Sequence, residues 1–313
     1  MPFGHPSPNT EATRTPYRIG LTVNAVKTPQ KRPANVAVIT VSYNSSAQLE
    51  DFLASAVSTV AKSAQILVVD NASADVAATR ALTKKHGATL IELADNRGYG
   101  GAINAGAATL DDTVDYIVVA NPDLSFSPDA VARLVAAADA DPRIAATGPR
   151  VLNVDGSAYP SARAIPSLRV GIGHALFANL WPTNPWTRAY HSDATTRREQ
   201  SAVGWLSGSC LCVRRTAFEA VGGFDEGFFM YFEDVDLGYR LGKQGFLNVF
   251  VPTAEVTHIG GLSTAAHSKA MLRVHHDSAY RFLAKKYPGV LLAPLRWVLR
   301  LALTARVTLA KQR

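Results

Sequence analysis

The chain has 313 residues, of which 47% are hydrophobic and 18% are charged, and it carries a formal net charge of +7. This composition excludes an intrinsically disordered chain, and the length accommodates one large α/β domain with appendages. There is no run of about 18 or more apolar residues, so we expect no transmembrane helix. Residues 1 to 34 are rich in Pro, Thr and Asn and lack the apolar stretch of a signal peptide, which predicts a disordered leader.

The first half of the chain predicts strands that alternate with helices. Short runs rich in Val and Ile predict buried strands, at 36–42, 66–69, 89–93 and 116–120. Apolar residues at helical spacing predict the helices between them, at 49–60, at 76–86, in a segment that ends near 110, and at 128–138. The alternation is typical of right-handed βαβ units and predicts a mostly parallel central sheet flanked by helices. Such sheets bind ligands beyond the carboxyl ends of their strands.

The second half predicts fewer regular elements. Strands are predicted at 203–213 and 246–251, and helices at 217–221, 233–243, 270–286 and 290–310. Residues 153 to 200 contain several Pro and Trp residues and predict a long, partly ordered region. Cys210 and Cys212 stand two apart in a predicted strand, so their side chains face the same way. We expect them to be buried free thiols in a reducing cytoplasm.

Residues 224 to 240 mix acids with aromatic residues. The acids are Asp225, Glu226, Glu233, Asp234 and Asp236. Burying a carboxylate costs several kcal/mol unless it is paired or reactive, and a hydrophobic pocket can tune a carboxylate for acid–base chemistry. The segment therefore predicts a catalytic carboxylate. The alternative is an ordinary helix start, because acids suit the first turn of a helix.

Polar residues follow three of the predicted strands. Asp70 and Asn71 end the second strand, a glycine-rich loop at 96–104 follows the third, and Asn121-Pro122-Asp123 follows the fourth. Asp70 predicts a contact to a nucleotide, the glycine loop predicts a phosphate held at a helix N-terminus, and Asp123 predicts a divalent cation that bridges a pyrophosphate. The alternatives are an Asx cap, a tight turn and a Pro turn, respectively.

Two further features predict contacts to a ligand. His258 follows a strand and predicts a second metal ligand or a phosphate contact, although a structural histidine is the more ordinary role. Trp205 and the segment that contains Ser207 and Gly208 predict the lining of a substrate pocket. The alternative for Trp205 is core packing.

Together these motifs resemble family 2 glycosyltransferases, which are inverting, metal-dependent enzymes with a GT-A fold. The segments that carry the resemblance are VSYN at 41–44, DNAS at 70–73, NRGYGGAIN at 96–104, NPD at 121–123, GWLSGSCLCVRR at 204–215 and FDEGFFMYFEDVDLGYR at 224–240. A narrower resemblance is to actinobacterial rhamnosyltransferases that act on N-acetylglucosaminyl-diphospho-decaprenol. It rests on YPSAR at 159–163, PSL at 166–168, WPTNPWT at 181–187 and APLRW at 293–297. Those enzymes use dTDP-L-rhamnose and build the linker that joins arabinogalactan to peptidoglycan.

The resemblance implies a GT-A catalytic domain at 35–265, with a donor half at 35–150 and an acceptor half at 151–265. A basic amphipathic helical extension at 266–313 would follow it. Asp234 would be the general base, and Glu233 would position the acceptor or share that role. The implied donor site comprises Asp70, Asn71, Asn96, Arg97, Gly98, Gly100, Asn121, Asp123 and Arg240. The implied acceptor site comprises Trp205, Ser207, Gly208 and Asp236.

The resemblance also implies that Asp123 holds Mg²⁺ or Mn²⁺ against the diphosphate, with His258 assisting. One residue departs from the family pattern, because Asn121 replaces the first Asp of the frequent Asp-x-Asp motif. The implied metal site therefore has one carboxylate fewer. Two other activities stay open: transfer from another nucleotide sugar, such as a UDP-linked one, for cell-surface polysaccharide, and non-catalytic binding of a nucleotide sugar or a membrane.

The C-terminal segment is strongly basic. From Lys269 onwards there are ten basic residues and one acid, Asp277. Apolar residues, including Trp297, alternate with these cations, which is typical of a helix that lies in a membrane interface. The alternative is a helix packed on the catalytic domain. We expect a cytoplasmic enzyme, peripheral on the inner face of the plasma membrane, that meets a polyprenyl-diphosphate-linked acceptor there. Nucleic acid is disfavoured because no aromatic stacking platform accompanies the charges, and a homo-oligomer stays open.

Overall fold

The computed structural model describes residues 34–170, 181, 183–185, 198–259 and 269–309. Of the predicted leader at 1–34, only Ala34 is described. Residues 260–268 and parts of the 153–200 segment also lie outside the described residues.

The first half of the chain forms the predicted alternation of strands and helices. Its elements are β1 (Val36–Ser42), α1 (Ser46–Thr59), β2 (Gln65–Asp70), α2 (Val76–His86), β3 (Thr89–Glu92), α3 (Gly98–Ala107) and β4 (Tyr116–Ala120). The four strands lie side by side in the order β3-β2-β1-β4, and all three pairings are parallel. Their carboxyl ends therefore meet at one edge of the sheet.

The rest of the chain extends the same sheet. Its elements are β5 (Leu124–Phe126), α4 (Ala130–Asp139), β6 (Ile144–Asn153), β7 (Ala158–Tyr159), β8 (Ala162–Arg163), β9 (Ser201–Val203), β10 (Trp205–Leu206), β11 (Cys210–Arg214), α5 (Arg215–Ala220), α6 (Glu233–Lys243), β12 (Leu247–His258), α7 (Lys269–Lys286) and α8 (Ala293–Leu309). The sheet continues from β4 as β11-β6-β12-β5. β11 is antiparallel to β4 and β6, whereas β6 and β12 are parallel. β8 and β10 form a separate two-stranded ribbon.

The sheet separates two hydrophobic layers. Alternate residues of β1 face opposite sides, so Ile39 packs in the layer that includes α3 and α6, whereas Val38 packs in the layer that includes α1 and α4. Cys210 and Cys212 both lie in the second layer as buried free thiols, as predicted. The predicted mostly parallel α/β architecture with C-terminal helices is confirmed.

Some predicted boundaries are wrong. The strand predicted at 203–213 is broken into β9, β10 and β11, because β9 pairs with β12, β10 pairs with β8 in the separate ribbon, and Ser207–Ser209 connects that ribbon to β11 in the main sheet. The strand predicted at 246–251 continues to His258, since β12 pairs with β6 on one side and with β5 on the other. The helix predicted from Pro128 begins at Ala130, after Asp129 in the left-handed conformation.

Two glycines with positive φ offer a matched test of backbone packing. Gly98 (φ +73°) starts α3, and a Cβ there would lie 2.2 Å from the carbonyl oxygen of Phe229. Gly87 (φ +68°) ends α2 and faces open space. The left-handed conformation costs a non-glycine residue about 1–2 kcal/mol, and a backbone clash adds a similar or larger amount. Gly98→Ala should therefore lower the free energy of unfolding by roughly 3 kcal/mol or more, and Gly87→Ala by about 1 kcal/mol. Urea denaturation measures both, and equal losses would contradict the close approach.

Candidate active site

The carboxyl ends of β1 and β2 are joined by a backbone hydrogen bond, and Asp70 closes a turn beside it. The N–H of Asn71 donates to the carbonyl of Ser42 at the end of β1 (2.9 Å). Oδ1 of Asp70 accepts from the N–H of Ser73 (2.9 Å), so the Asx turn is present. Oδ2 of Asp70 is buried and has no hydrogen-bond partner among the described residues. A buried oxygen without a partner is costly, and a donor group of a ligand would satisfy it.

Asn71 fastens the end of β2 to the start of α3. Its side-chain amide donates to Oδ1 of Asn96 (2.9 Å) and to the carbonyl of Gly98 (3.2 Å), and its Oδ1 accepts from the N–H of Arg97 (2.9 Å). Oδ1 of Asn96 also accepts from the N–H of Gly98 (2.9 Å). The two asparagines thus shape the loop before α3, while the side chain of Arg97 is exposed. Their predicted contacts with a nucleotide stay predictions.

The expected glycine loop is mostly a helix, because α3 already begins at Gly98. A Cβ on Gly98 would meet the backbone of Phe229, and a Cβ on Gly100 would lie 2.8 Å from Cβ of Phe224. The space that these glycines leave is therefore filled by the 224–229 segment of the same chain. Their contacts explain a packing role, and their predicted phosphate contacts stay predictions.

Asp123 and His258 face each other at the end of β4 and β12. Oδ1 of Asp123 lies 3.1 Å from Nε2 of His258. Neither atom makes a hydrogen bond within the described residues, and both are buried. The N–H of Ile259 donates to the carbonyl of Asp123 (2.8 Å), which holds the two strand ends together. A carboxylate oxygen and an imidazole nitrogen so placed can share a divalent cation.

The Ser207–Ser209 loop joins the β4 end to the acid segment. The carbonyl of Ser209 accepts from the N–H of Asn121 (2.8 Å), two residues before Asp123. The N–H of Gly208 donates to Oδ2 of Asp234 (2.8 Å). The β4 end, two residues before the candidate metal ligand, and the candidate base are therefore bound to adjacent residues of one short loop. The hydroxyl of Tyr99 donates to the carbonyl of Gly208 (2.6 Å) and fixes that loop from α3.

Glu233 and Asp234 start α6, after two residues with positive φ, Tyr231 (67°) and Phe232 (66°). Glu233 is 6% exposed, and its Oε2 has no hydrogen-bond partner in the described part of the chain. Burial, and then the neighbouring Asp234 charge, raise the pKa of Glu233 to about 8. Burial also raises the pKa of Asp234, but N–H groups of Gly208 and Val235 oppose that shift. The two N–H donors therefore favour the ionised form of Asp234, whereas burial favours the protonated form of Glu233.

Asp236, Arg240 and Trp205 lie behind this acid pair. The carboxylate of Asp236 is 0% exposed and pairs with Nε of Arg240 (2.5 Å) and with Nζ of Lys285 (2.7 Å). Nη1 of Arg240 donates to a backbone carbonyl at residue 221 (2.6 Å). The indole of Trp205 donates to the carbonyl of Ala164 (3.2 Å). These contacts hold the three side chains against the protein, and their predicted contacts with a substrate stay predictions.

Sequence reasoning assigned no role to two residues that touch this site. Tyr99 stands inside the quoted glycine-rich motif, but nothing in the spacing indicates that its hydroxyl reaches Gly208. Lys285 stands in the basic C-terminal segment, and its charge alone was a signal for an anionic partner outside the protein. Both contacts bridge residues far apart in sequence, 109 positions for Tyr99, so local patterns do not reveal them.

Comparison with known proteins fits this geometry. The Glycosyl transferase family 2 profile matches residues 37–222. The chain belongs to glycosyl transferase family 2. It is therefore an enzyme that transfers a sugar, and the family resemblance read from the motifs is confirmed.

Relatives of this family 2 glycosyltransferase support the narrower resemblance as well. Over 278 residues the chain is 45% identical to the protein named N-acetylglucosaminyl-diphospho-decaprenol L-rhamnosyltransferase in two strains of Mycobacterium tuberculosis. The alignment covers 86% of this chain and 90% of each relative. Over 263 residues it is 24% identical to a low-salt glycan biosynthesis hexosyltransferase of Haloferax volcanii, covering 82% of this chain and 75% of that one.

A solved structure shares the fold. A mannosyltransferase from Pyrobaculum calidifontis, in complex with GDP-Man and Mn²⁺, superposes with a TM-score of 0.57 at 19% identity, covering 90% of this chain and 72% of that chain. The GT-A-type fold expected from the sequence is confirmed.

The Tyr99–Gly208–Asp234 contacts predict a shift in the pH dependence of this glycosyltransferase. In Tyr99→Phe the carbonyl of Gly208 loses its donor, the loop loosens, and the N–H bond to Asp234 weakens. Because that bond favours the ionised carboxylate, the pKa of Asp234 rises. The acidic limb of kcat/KM against pH should then move upwards by about half a pH unit.

Tyr116→Phe is the matched control. The hydroxyl of Tyr116 donates to Oδ1 of Asp139 (2.7 Å) on the other side of the sheet. Both variants lose one hydroxyl hydrogen bond and should lose about 1 kcal/mol of stability. If both pH profiles coincide with that of the wild type, the Tyr99 contact does not set the ionisation of Asp234.

Proposed function

We propose that this enzyme transfers L-rhamnose from dTDP-L-rhamnose to N-acetylglucosamine carried on a polyprenyl diphosphate, with inversion at the anomeric carbon. The acceptor and the sugar are those in the name of the M. tuberculosis relatives, which align with 86% of the chain. The dTDP moiety follows the sequence resemblance. The chemistry rests on one observation, that Asp234 and the β4 end that carries Asp123 are bound to the same three-residue loop.

Asp234 acts as the general base. Its carboxylate accepts a proton from the acceptor hydroxyl as that oxygen attacks the anomeric carbon and the bond to the departing diphosphate breaks. Glu233 stays protonated near neutral pH, so it can donate a hydrogen bond to the acceptor without adding a second charge. Direct displacement inverts the anomeric centre, and no covalent intermediate with the protein is required. Asp70 supplies a buried acceptor oxygen at the far end of the same sheet edge, where the nucleoside of the donor would lie.

A divalent cation fits between Asp123 and His258. Their facing atoms are 3.1 Å apart and make no hydrogen bond within the described chain, so they are free to coordinate. Among the described residues there is no group of three or more potential metal-binding acids, histidines or cysteines. An ion would therefore take its remaining ligands from the diphosphate and water, as Mg²⁺ commonly does. When bound, it offsets the negative charge that develops on the leaving diphosphate.

The roles of Asp234 and Asp123 can be separated experimentally. Asp234→Asn removes the base and should lower kcat for transfer roughly 100-fold or more, while donor binding persists. Asp123→Ala should also lower transfer, because the diphosphate loses its cation. In a thermal-shift series with dTDP-L-rhamnose, Asp123→Ala should lose the Mn²⁺-dependent part of the shift and Asp234→Asn should keep it. Asp51→Asn, on the exposed face of α1, is the control.

The same series tests the donor independently of the mechanism. A larger thermal shift with a UDP-sugar than with dTDP-L-rhamnose would overturn the donor assignment and leave the base assignment standing. Full transfer activity in folded Asp234→Asn would overturn the mechanism, whichever donor is used.

The C-terminal helices give the enzyme a surface suited to a membrane. Helix α8 has a partly buried side, which includes Leu299 and Leu303. Other large apolar side chains of α8 are exposed, and so are those of the preceding 3-10 turn (Val290–Leu292). This apolar surface comprises Val290, Leu291, Trp297, Val298 and Leu301. Arg300 and Arg306 on the same helix are also exposed.

This apolar surface with flanking arginines matches a bilayer that contains anionic lipid. No described helix is both long and apolar enough to cross a bilayer. The attachment that we propose is peripheral and rests on the exposed apolar surface and its arginines. It would bring the active site to an acceptor whose lipid tail stays in the membrane.

Removing the most exposed apolar groups should detach the enzyme from lipid. The double variant Leu291→Ser/Trp297→Ser should bind vesicles of anionic and neutral phospholipid at least about tenfold more weakly than wild type, since each buried large side chain contributes about 1.5–3 kcal/mol. Val154→Ser, at another highly exposed apolar site, is the control. Sedimentation with vesicles measures the binding, and unchanged binding by the double variant would exclude this surface.

A further inference from the structure

Helix α7 packs directly on the segment that leads into the catalytic helix α6. Phe282 of α7 is 0% exposed, and its ring centroid lies 5.9 Å from that of Phe232. The ring of His275 lies 5.3 Å from that of Tyr231 and 5.4 Å from that of Phe232. Helix α7 therefore covers the two residues that immediately precede Glu233.

Those two residues need support from outside their own turn. Tyr231 and Phe232 have φ of 67° and 66°, and neither is a glycine. Such a conformation costs on the order of 1–3 kcal/mol per residue and persists only where the surroundings impose it. The hydroxyl of Ser278 in α7 adds to that support by donating to the carbonyl of Met230 (2.8 Å).

A chain of alternating charges runs from α7 into α6. Nζ of Lys285 lies 2.8 Å from Oδ2 of Asp225 and 2.7 Å from Oδ1 of Asp236. Beyond these acids, Nη2 of Arg281 lies 3.0 Å from Asp225, and Nε of Arg240 lies 2.5 Å from Asp236. Lys285 is the member that connects the loop acid to the helix acid.

These alternating charges reach the start of helix α6 because Lys285 pairs with Asp236. Asp236 is 0% exposed and stands in the first turn of α6, two residues after Asp234. A fully buried carboxylate requires cationic partners, and loss of one partner leaves its charge uncompensated. Burial acts to raise the pKa of Asp225, but hydrogen bonds from Lys285, Gly227 and Arg281 outweigh it and lower that pKa to about 2.

We propose that Lys285 is a positioning residue, which fixes the first turn of α6, and with it Glu233 and Asp234, by bridging Asp225 and Asp236. The proposal rests on the proposed function in one respect, that Asp234 is the base. Helix α7 would then help to position the catalytic residues, in addition to supporting helix α8 and its apolar surface. In this role Lys285 acts through the acids that it holds.

The test compares variants of the full-length enzyme in detergent with a short-chain polyprenyl-diphosphate-linked N-acetylglucosamine. Lys285→Met keeps the length of the side chain and removes its charge. It should lower kcat roughly ten- to a hundredfold, because small displacements of a base are costly, while both KM values stay within about threefold of wild type. Lys285→Arg restores a cation that can span both acids and should recover most of kcat. Arg273→Met, on the same helix and with an ion pair to Asp277 at 3.8 Å, should match wild type.

Asp225→Asn provides a second route if Lys285→Met does not fold. It removes the loop end of the bridge and leaves Asp236 paired, and it should lower kcat in the same direction with KM unchanged. Either variant that folds, yet keeps kcat within about twofold of Arg273→Met, overturns the positioning role. Failure of the proposed function gives a different result. If Asp234→Asn keeps full activity, the base assignment fails. If the wild type uses another nucleotide sugar, the donor assignment fails, and the Lys285 variants can still be compared with that donor.

Discussion

Two adjacent carboxylates at the start of one helix, Glu233 buried and Asp234 partly buried, are the constraint around which this enzyme is built. Like charges one residue apart repel, and removal from water raises the free energy of both. The structure offsets this cost unequally. Asp234 receives N–H donors from Gly208 and Val235, whereas Glu233 receives none at Oε2. The asymmetry favours a charge on Asp234 and a proton on Glu233, although the two groups are chemically similar.

Several distant segments meet in order to maintain that asymmetry. Helix α3 contributes Tyr99, which fixes the carbonyl of Gly208, and its glycines admit the 224–229 segment at close range. The loop between β10 and β11 contributes the N–H donor. Helix α7 contributes Lys285 and the aromatic cover over residues 231–232. The active site is therefore a junction between the donor strands, the acid helix and the C-terminal extension.

The sequence predicts the parts of this fold that depend on local patterns. Strand β1 is a run of β-branched residues that is buried on both faces, and α2 ends at Gly87 as its left-handed cap requires. The acid pair is recognisable because carboxylates among aromatic residues are unusual. By contrast, β6 contains Gly148 and Pro149, which are untypical of a strand, so the sequence pattern does not predict one there. Strand β6 pairs with the nearby β7 over two residues, but most of its length is paired with β11 and β12, whose residues lie far along the chain.

Some predicted site residues also have partners within the protein that the sequence does not indicate. Gly98 and Gly100 suggest a phosphate loop, and their empty faces accommodate Phe229 and Phe224. Asp236 suggests a substrate contact because it stands beside the candidate base, and it is fully buried and paired with two cations. One of these cations lies one turn further along the same helix, but the other partners lie more than 40 positions away from the residues that they contact. Spacing in one sequence does not reveal such distant partners.

The strand order has a consequence for how the chain is made. β11 lies between β4 and β6, and β12 lies between β6 and β5, so the last sheet strand to be synthesised separates strands translated more than a hundred residues earlier. While the ribosome is still producing residues 154–246, β5 and β6 have unpaired edges, which are prone to aggregation. Closure of the sheet must await nearly the whole catalytic region. Such long-range pairing is typical of slow folding, and it means that β5 and β6 obtain their shared neighbour β12 only near the end of the catalytic region.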